Sequence, residues 1–200
     1  MPTFLHIGSN VKHKDRTTVG FNTPDWQECR LDIDASAKPD IVASMLEMTP
    51  VADQSMDAIF SSHNIEHLYP HEVGVAFKEF FRVLKPDAFL IITCPDLQEI
   101  CRLIGEGKLI DTIYQSPSGP IAPLDVLYGH RYSLAQGNYF MAHKCGFVLN
   151  VLLATLKDAG FASAGGYRRL HPYYDLWAVA TRSKAPDNQV RALLELHQPV

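Results

Sequence analysis

Residues 51–86 read VADQSMDAIFSSHNIEHLYPHEVGVAFKEFFRVLKP, and their pattern decides the fold. Asp53-Gln54-Ser55 is turn chemistry. Residues 56–61 form a short, mostly apolar run, as expected of a strand covered on both faces. Residues 62–67 turn abruptly polar, where such a strand would emerge at the edge of its sheet. Val73, Phe77, Phe80, Phe81 and Leu84 then recur at helical spacing as one apolar stripe, with Lys78, Arg82 and Lys85 off it. Pro86 ends the helix, because its ring cannot occupy a helix interior. Phe89-Leu90-Ile91-Ile92 follows as the next buried strand. Strand, polar tip, helix and strand make a βαβ unit, whose crossover is normally right-handed.

The remaining chain is long enough to complete one three-layer domain around that unit: 200 residues, 46% hydrophobic and 20% charged. A net charge of −4 argues against gripping nucleic acid through phosphate charge and leaves a small-molecule partner as the expectation. No apolar run approaches the ~20 residues needed to span a bilayer. The first residues, MPTFLHIG, lack a basic region and a long apolar core, so no membrane partner and a cytoplasmic location are expected. Cys29, Cys94, Cys101 and Cys145 are scattered without paired zinc spacing and read as free thiols.

Taken in order, residues 3–7 (TFLHI) predict a strand broken by Gly8-Ser9-Asn10. Ligands of parallel sheets bind beyond the carboxyl ends of the strands, and a glycine there lets backbone amides approach closely. Residues 11–26 show no helical stripe and read as a loop, a candidate flap. Residues 28–33 (ECRLDI) predict the next strand, with Asp32 and Asp34 at its end. A carboxylate so placed can accept hydrogen bonds from the vicinal hydroxyls of a ribose. Residues 39–48 predict a short strand running into a loop.

Two polar stretches carry the chemistry. His63-Asn64-Ile65-Glu66-His67 is formally an H-x-x-E-H pattern. On a continuous helix His63 and His67 would share a face and hold zinc, with Glu66 as base. The preceding strand, the nearby Pro70 and the missing third ligand weigh against that hydrolase reading, so no metal is expected. The second stretch, residues 106–143, has prolines and Gly119 in its first half. Its second half holds Tyr128, His130, Arg131, Tyr132, Asn138, Tyr139, Phe140 and His143. A long aromatic-rich loop in a compact domain is usually functional rather than disordered.

Beyond it, Asp96 with Glu99 reads as a capping box opening a helix that ends at Gly105. Residues 147–159 predict an amphipathic helix closed by Gly160. Residues 167–170 and 176–181 predict two antiparallel strands. A tail at about 186–198 predicts a helix capped by Asp187. Its Leu193, Leu194 and Leu196 would dock on the domain or on a second subunit, making a homodimer.

The segment DQSMDAIFSSHNIEHL followed by FFRVLKPDAFLII resembles the middle of class I S-adenosylmethionine (SAM)-dependent methyltransferases, of the methyltransferase type 11 kind. HKCGFVLNVLLATLKDAGF resembles their last helix. Asp87-Ala88 departs from the usual Gly-Gly, Asn10 stands where a second glycine is usual, and the helix expected after the first motif is missing. The resemblance implies a Rossmann-like α/β fold: a three-layer, doubly wound, mostly parallel seven-stranded sheet with a reversed final strand and an irregular substrate cap, as one domain over residues 1–200. It implies SAM as cofactor, bound by Gly8, Ser9 and Asn10, by Asp32 (Asp34 in reserve) and Ile33, by Met45 and Leu46 at the adenine, and by Ser62 and His63 beside the sulfonium. Residues 106–143 would cap the acceptor, a small molecule or glycan intermediate, with His63, His130 or His143 as base. The alternative is a catalytically degenerate SAM-binding or interaction module.

Overall fold

The computed structural model describes residues 1–199, and its frame is the strand set the sequence implies. β1 (Thr3–Ile7), β2 (Gln27–Asp32), β3 (Ile41–Val42) and β4 (Met56–Ser62) precede helix α1 (Pro70–Val83). β5 (Leu84–Pro95) leads into α2 (Leu97–Gly105). A hairpin of β6 (Tyr114–Ser116) and β7 (Gly119–Ile121) and two short helices, α3 (Pro123–Tyr128) and α4 (Arg131–Ala135), follow. Then come α5 (Leu149–Asp158), β8 (Ser163–Arg169), β9 (Asp175–Thr181) and α6 (Asp187–Leu196). The main sheet runs in the order β3-β2-β1-β4-β5-β9-β8. β1 to β5 pair in parallel, and β9 is antiparallel to both β5 and β8. This is the mostly parallel, seven-stranded doubly wound sheet with a reversed last strand.

Alternation along each strand assigns the two faces. Leu5, Ile7, Ile59, Leu90, Ile92 and Ala178 point to one, where Phe77 and Phe80 of α1 and Leu152 and Leu156 of α5 cover them. Phe4, Phe60, Ile91 and Val179 point to the other. Only a single 3-10 turn, Lys14–Arg16, follows β1, and Phe21 covers that second face instead of a helix, stacked on Phe4 at 4.2 Å, together with Val190 of α6. Burying a phenylalanine ring is worth roughly 1.5–3 kcal/mol. Within the expected flap of residues 11–26, Thr17, Thr18 and Phe21 are instead buried anchors, and Lys14 Nζ donates to the carbonyls of Thr23 (2.7 Å) and Trp26 (2.9 Å). Leu193 and Leu194 pack on this chain's own domain, while Leu196 remains exposed.

Local endings differ from expectation for identifiable reasons. Helix α1 stops at Val83, three residues before Pro86, whose ring would strike the Arg82 carbonyl. Leu84 instead pairs with Met56. Pro70, read as a helix breaker, opens α1 at its first position, where no amide donor is needed. Asp96 caps α2 through the Gln98 amide, but Glu99 pairs with Arg102, so no capping box forms. Asp187 lies in the first turn of α6, after Pro186, and does not cap it. Among the described residues no helix is long and apolar enough to cross a membrane.

Candidate active site

β1, β2 and β4 are neighbours, so their carboxyl ends meet. Ile7 sits beside Leu31 on one side and Ser61 on the other. Gly8 takes φ +63° and Asn10 φ +48°, the left-handed turn that the Gly-Ser-Asn sequence permits. The Gly8 amide donates to Leu31 O at 2.8 Å, and Ser9 is fully buried. The Asp32 carboxylate accepts the Asn10 amide (2.7 Å) through one oxygen and the Asp34 amide (2.9 Å) through the other. Each oxygen keeps a second lone pair, which is what a vicinal diol requires. Asp34 spends its carboxylate on the Ser36 amide. Ile33 and Val42, beside Asp32, and Val11, after Asn10, are exposed aliphatics at the ends of β2, β3 and β1. Met45 and Leu46 are half-buried against the main core.

The donor set therefore fits a nucleoside: a diol acceptor, apolar surface beside it and a left-handed glycine turn below. One feature is unexpected. The space a Cβ at Gly8 would take is filled by the Asn64 side chain. Its Nδ2 donates to Ile7 O (2.9 Å) and Ser62 O (3.1 Å), sealing the β1 turn to the end of β4.

A cleft of about 230 Å³ lies nearby, lined by His63, Glu66 and His67 and by side chains from residues 114–143. His63, His130 and His143, read separately from the sequence, all line it, with Glu66, His67 and Tyr114. A more open cleft of about 490 Å³ shares His63 and Tyr114 and reaches Arg169 and Asp175. Ser62, the residue before His63, has its Oγ 2.8 Å from Thr93 Oγ1. His63 adopts φ +56°, uncommon for a residue with a Cβ, and its amide donates to Thr93 O. That turn aims the ring between two carboxylates, with Nδ1 3.3 Å from Glu66 Oε1 and Nε2 3.6 Å from Asp175 Oδ2. Burial opposes the charged ring, but Asp175 and Glu66 outweigh it and raise its pKa to about 9. The side chain is 47% exposed, so the cation rests on those two partners rather than on exclusion of water.

Glu66 is 1% exposed, and neither carboxylate oxygen has a hydrogen-bond donor among the described residues. Burial pushes its carboxyl up, and the His63, His67 and His143 rings outweigh burial and hold it low. Asp175 is likewise held low against burial by His63 and Arg169, whose Nε donates at 2.7 Å. Asp96 is not available to a substrate: it is fully buried, one oxygen capping α2 and the other taking Arg168 Nε at 2.5 Å.

Residues 63–67 are not one helix. His63 is left-handed and only Ile65–His67 form a 3-10 turn, so the face that H-x-x-E-H would present on a helix does not exist. Glu66 and His67 were legible as a motif. Asp175 and Arg169 carried no sequence signal, because β8 and β9 bring them to the cleft from far along the chain.

The fold these strands and helices define is the Rossmann-like α/β fold shared by SAM-dependent methyltransferases. Residues 17–92 match the family model of the methyltransferase domain. No curated protein matches the chain. Among solved structures, a SAM-dependent methyltransferase from Methanosarcina mazei aligns with TM-score 0.61 at 15% identity, over 92% of this chain and 93% of its own. The 1,6-didemethyltoxoflavin-N1-methyltransferase of Burkholderia thailandensis, solved with its substrate and S-adenosylhomocysteine, gives 0.59 at 14% identity, over 92% and 72%. The citrinin polyketide synthase CMeT domain gives 0.57 at 13% identity over 92% of this chain, which spans 47% of that one. At these identities the likeness is one of fold.

Proposed function

We propose that this protein is a SAM-dependent methyltransferase acting on a small-molecule acceptor held in the cleft under residues 106–143. The observation that carries the reading is the junction at Ser62-His63. The turns suited to a nucleoside lie on one side of it and a half-open cleft of mixed polar and apolar lining on the other. Gly8, Ser9 and Asn10 shape the donor turn, Asp32 takes the ribose hydroxyls, and Ile33, with Met45 and Leu46 at its edge, offers apolar surface to adenine. Bound there, SAM supplies an activated methyl on a sulfonium, which an acceptor lone pair takes by in-line displacement. The chain's own work is mainly alignment. The cap encloses the acceptor, and His63, fixed by Glu66 and Asp175, holds a ring nitrogen at the junction. His130 and His143 line the same cleft.

Calorimetry with SAM and S-adenosylhomocysteine tests the donor half. Saturable binding is expected, weakened about 10–100-fold in Asp32→Ala through loss of a charge-assisted hydrogen-bond pair. Absence of heat and of any thermal shift at saturating ligand refutes it. For the acceptor half, His63→Ala is expected to lower kcat about 100-fold, within the range for a positioned proton-transfer group, with SAM affinity retained; because the ring stays protonated until the pH nears about 9, the loss is expected to be largest there. Unchanged turnover removes His63 from the reaction.

A second reading, a SAM-fold module without catalysis, is favoured by one observation. Asn64 occupies the space beside Gly8, and two backbone amides already engage Asp32. Calorimetry identifies an interaction module, which binds neither ligand, and a SAM-binding module without catalysis is identified by saturable binding with no methyl transfer to any acceptor offered.

A further inference from the structure

Glu66, His67 and His143 each offer one ligand atom, and the three atoms lie within 4.8 Å of one another. We propose that they form a binding site for a divalent first-row transition-metal ion at the wall of the capped cleft.

The arrangement around the three side chains is what a metal site requires and what a structural cluster does not explain. His143 Nδ1 lies 2.7 Å from the Val126 carbonyl and His67 Nδ1 lies 3.1 Å from the Ala142 carbonyl. A carbonyl only accepts, so each Nδ1 carries the proton and each Nε2 is left with a free lone pair. Fixing a ligand's tautomer through its other nitrogen is the usual outer-shell arrangement of metal-bound histidines. The two rings sit 4.9 Å apart, edge to face. Between them lies a buried carboxylate with no hydrogen-bond donor on either oxygen. The His63 ring, 3.3 Å away, is its charge partner, but a buried carboxylate short of donors remains costly, and a metal ion would complete its contacts. Two imidazoles and one carboxylate suit Zn²⁺, Fe²⁺, Mn²⁺ or Co²⁺ rather than Mg²⁺ or Ca²⁺, which prefer oxygen ligands. Three protein ligands leave coordination positions open, as in catalytic rather than structural sites.

All three residues line the cleft, so those open positions face its interior. The acceptor class this favours is a molecule presenting an oxygen ligand, such as a hydroxyl or carboxylate. That extension rests on the cleft being the acceptor site; the ion site itself does not. The ligand set differs from the helix-borne zinc pattern of the same letters. Glu66 binds rather than acts as base, His63 stands outside the set, and His143 is supplied by the cap.

The test uses tag-free full-length protein stripped with a chelator. Titration with ZnCl2 or MnCl2 is expected to show one equivalent bound, and CoCl2 to give visible d–d absorption. Glu66→Gln and His143→Gln are each expected to weaken binding at least about tenfold, while His130→Gln, on the same cleft wall, keeps it. Glu66→Gln also removes a partner of His63, so folding of each metal-free variant is checked by circular dichroism and melting, and His143→Gln, which leaves the His63–Glu66 pair in place, is expected to lose binding while still folded. Failure of the wild type to bind any of the three ions, or equal binding in both ligand variants, overturns the site. SAM calorimetry on the same stripped protein reports on the donor turn separately, so either assignment can fail alone.

Discussion

Gly8→Ala is expected to destabilise the protein by about 2–5 kcal/mol and to abolish binding of whatever ligand the β1 turn holds. Two effects add. A residue with a Cβ at φ +63° costs roughly 1–2 kcal/mol. The new methyl also overlaps the Asn64 side chain, and overpacking of that kind costs about 1–3 kcal/mol. Asn64 cannot easily swing away, because Nδ2 is tied to Ile7 O and Ser62 O. Urea unfolding measures the loss. The two causes separate in a double variant: Gly8→Ala with Asn64→Ala is expected to recover the steric part and leave the backbone part. The cycle should show a favourable coupling on the order of 1–2 kcal/mol. An unchanged unfolding midpoint in Gly8→Ala would mean that the β1 turn is not built as described.

The second large effect is a loss of stability in acid through His197. Its ring is 1% exposed, packed against Phe21 at 4.2 Å and Phe89 at 5.0 Å, with Nδ1 2.8 Å from Thr18 Oγ1. That oxygen already accepts the Phe21 amide, so its hydroxyl proton is free to point at Nδ1 and favour the neutral ring. Burial depresses the pKa from 6.5 to about 4. Above pH 6.5 neither state binds the proton and His197 contributes no pH dependence. As pH falls below 6.5 the unfolded chain takes up the proton and the native ring does not, so stability drops until about pH 4, where both are charged. The linkage amounts to roughly 3 kcal/mol across that window. Carboxylates held low in the native state lose stability in the same direction, so the diagnostic quantity is the difference from His197→Gln. That variant is expected to show a shallower slope of unfolding free energy between pH 6.5 and 4. Parallel slopes would show that the ring is not buried neutral.

His197 also shows how far local sequence reaches. The strands and α1 were legible because their signals are local. An apolar run bounded by a turn, a glycine break and a stripe at helical spacing each act over a few residues. Gly8 and Asp32 were legible because strand ends are where a parallel sheet binds ligands. The tail was legible as a helix, from its leucine spacing, but not its partner. Val190 of α6 and Phe21 together cover the face of the sheet that a helix after β1 would have covered, and nothing within either segment encodes the other. Asn64 was likewise readable only as part of a polar tip. That its side chain fills the space beside Gly8 depends on β1 and β4 lying side by side.

The cleft divides in the same way. The motif His63-Asn64-Ile65-Glu66-His67 suggested ligands on one helical face, because spacing along a chain implies geometry only where the backbone is regular. Here the backbone turns left-handed at His63 and regular helix begins only at Pro70. What the sequence by itself determined is the order of strands and helices, the turn at Gly8 and the residue types at the strand ends, because hydrophobic period and backbone permissiveness are local properties. Which side chains meet was decided by the tertiary structure. His143 reaches Glu66 and His67, and Asp175 reaches His63, only because the cap and the reversed strand β9 fold back over the end of the sheet.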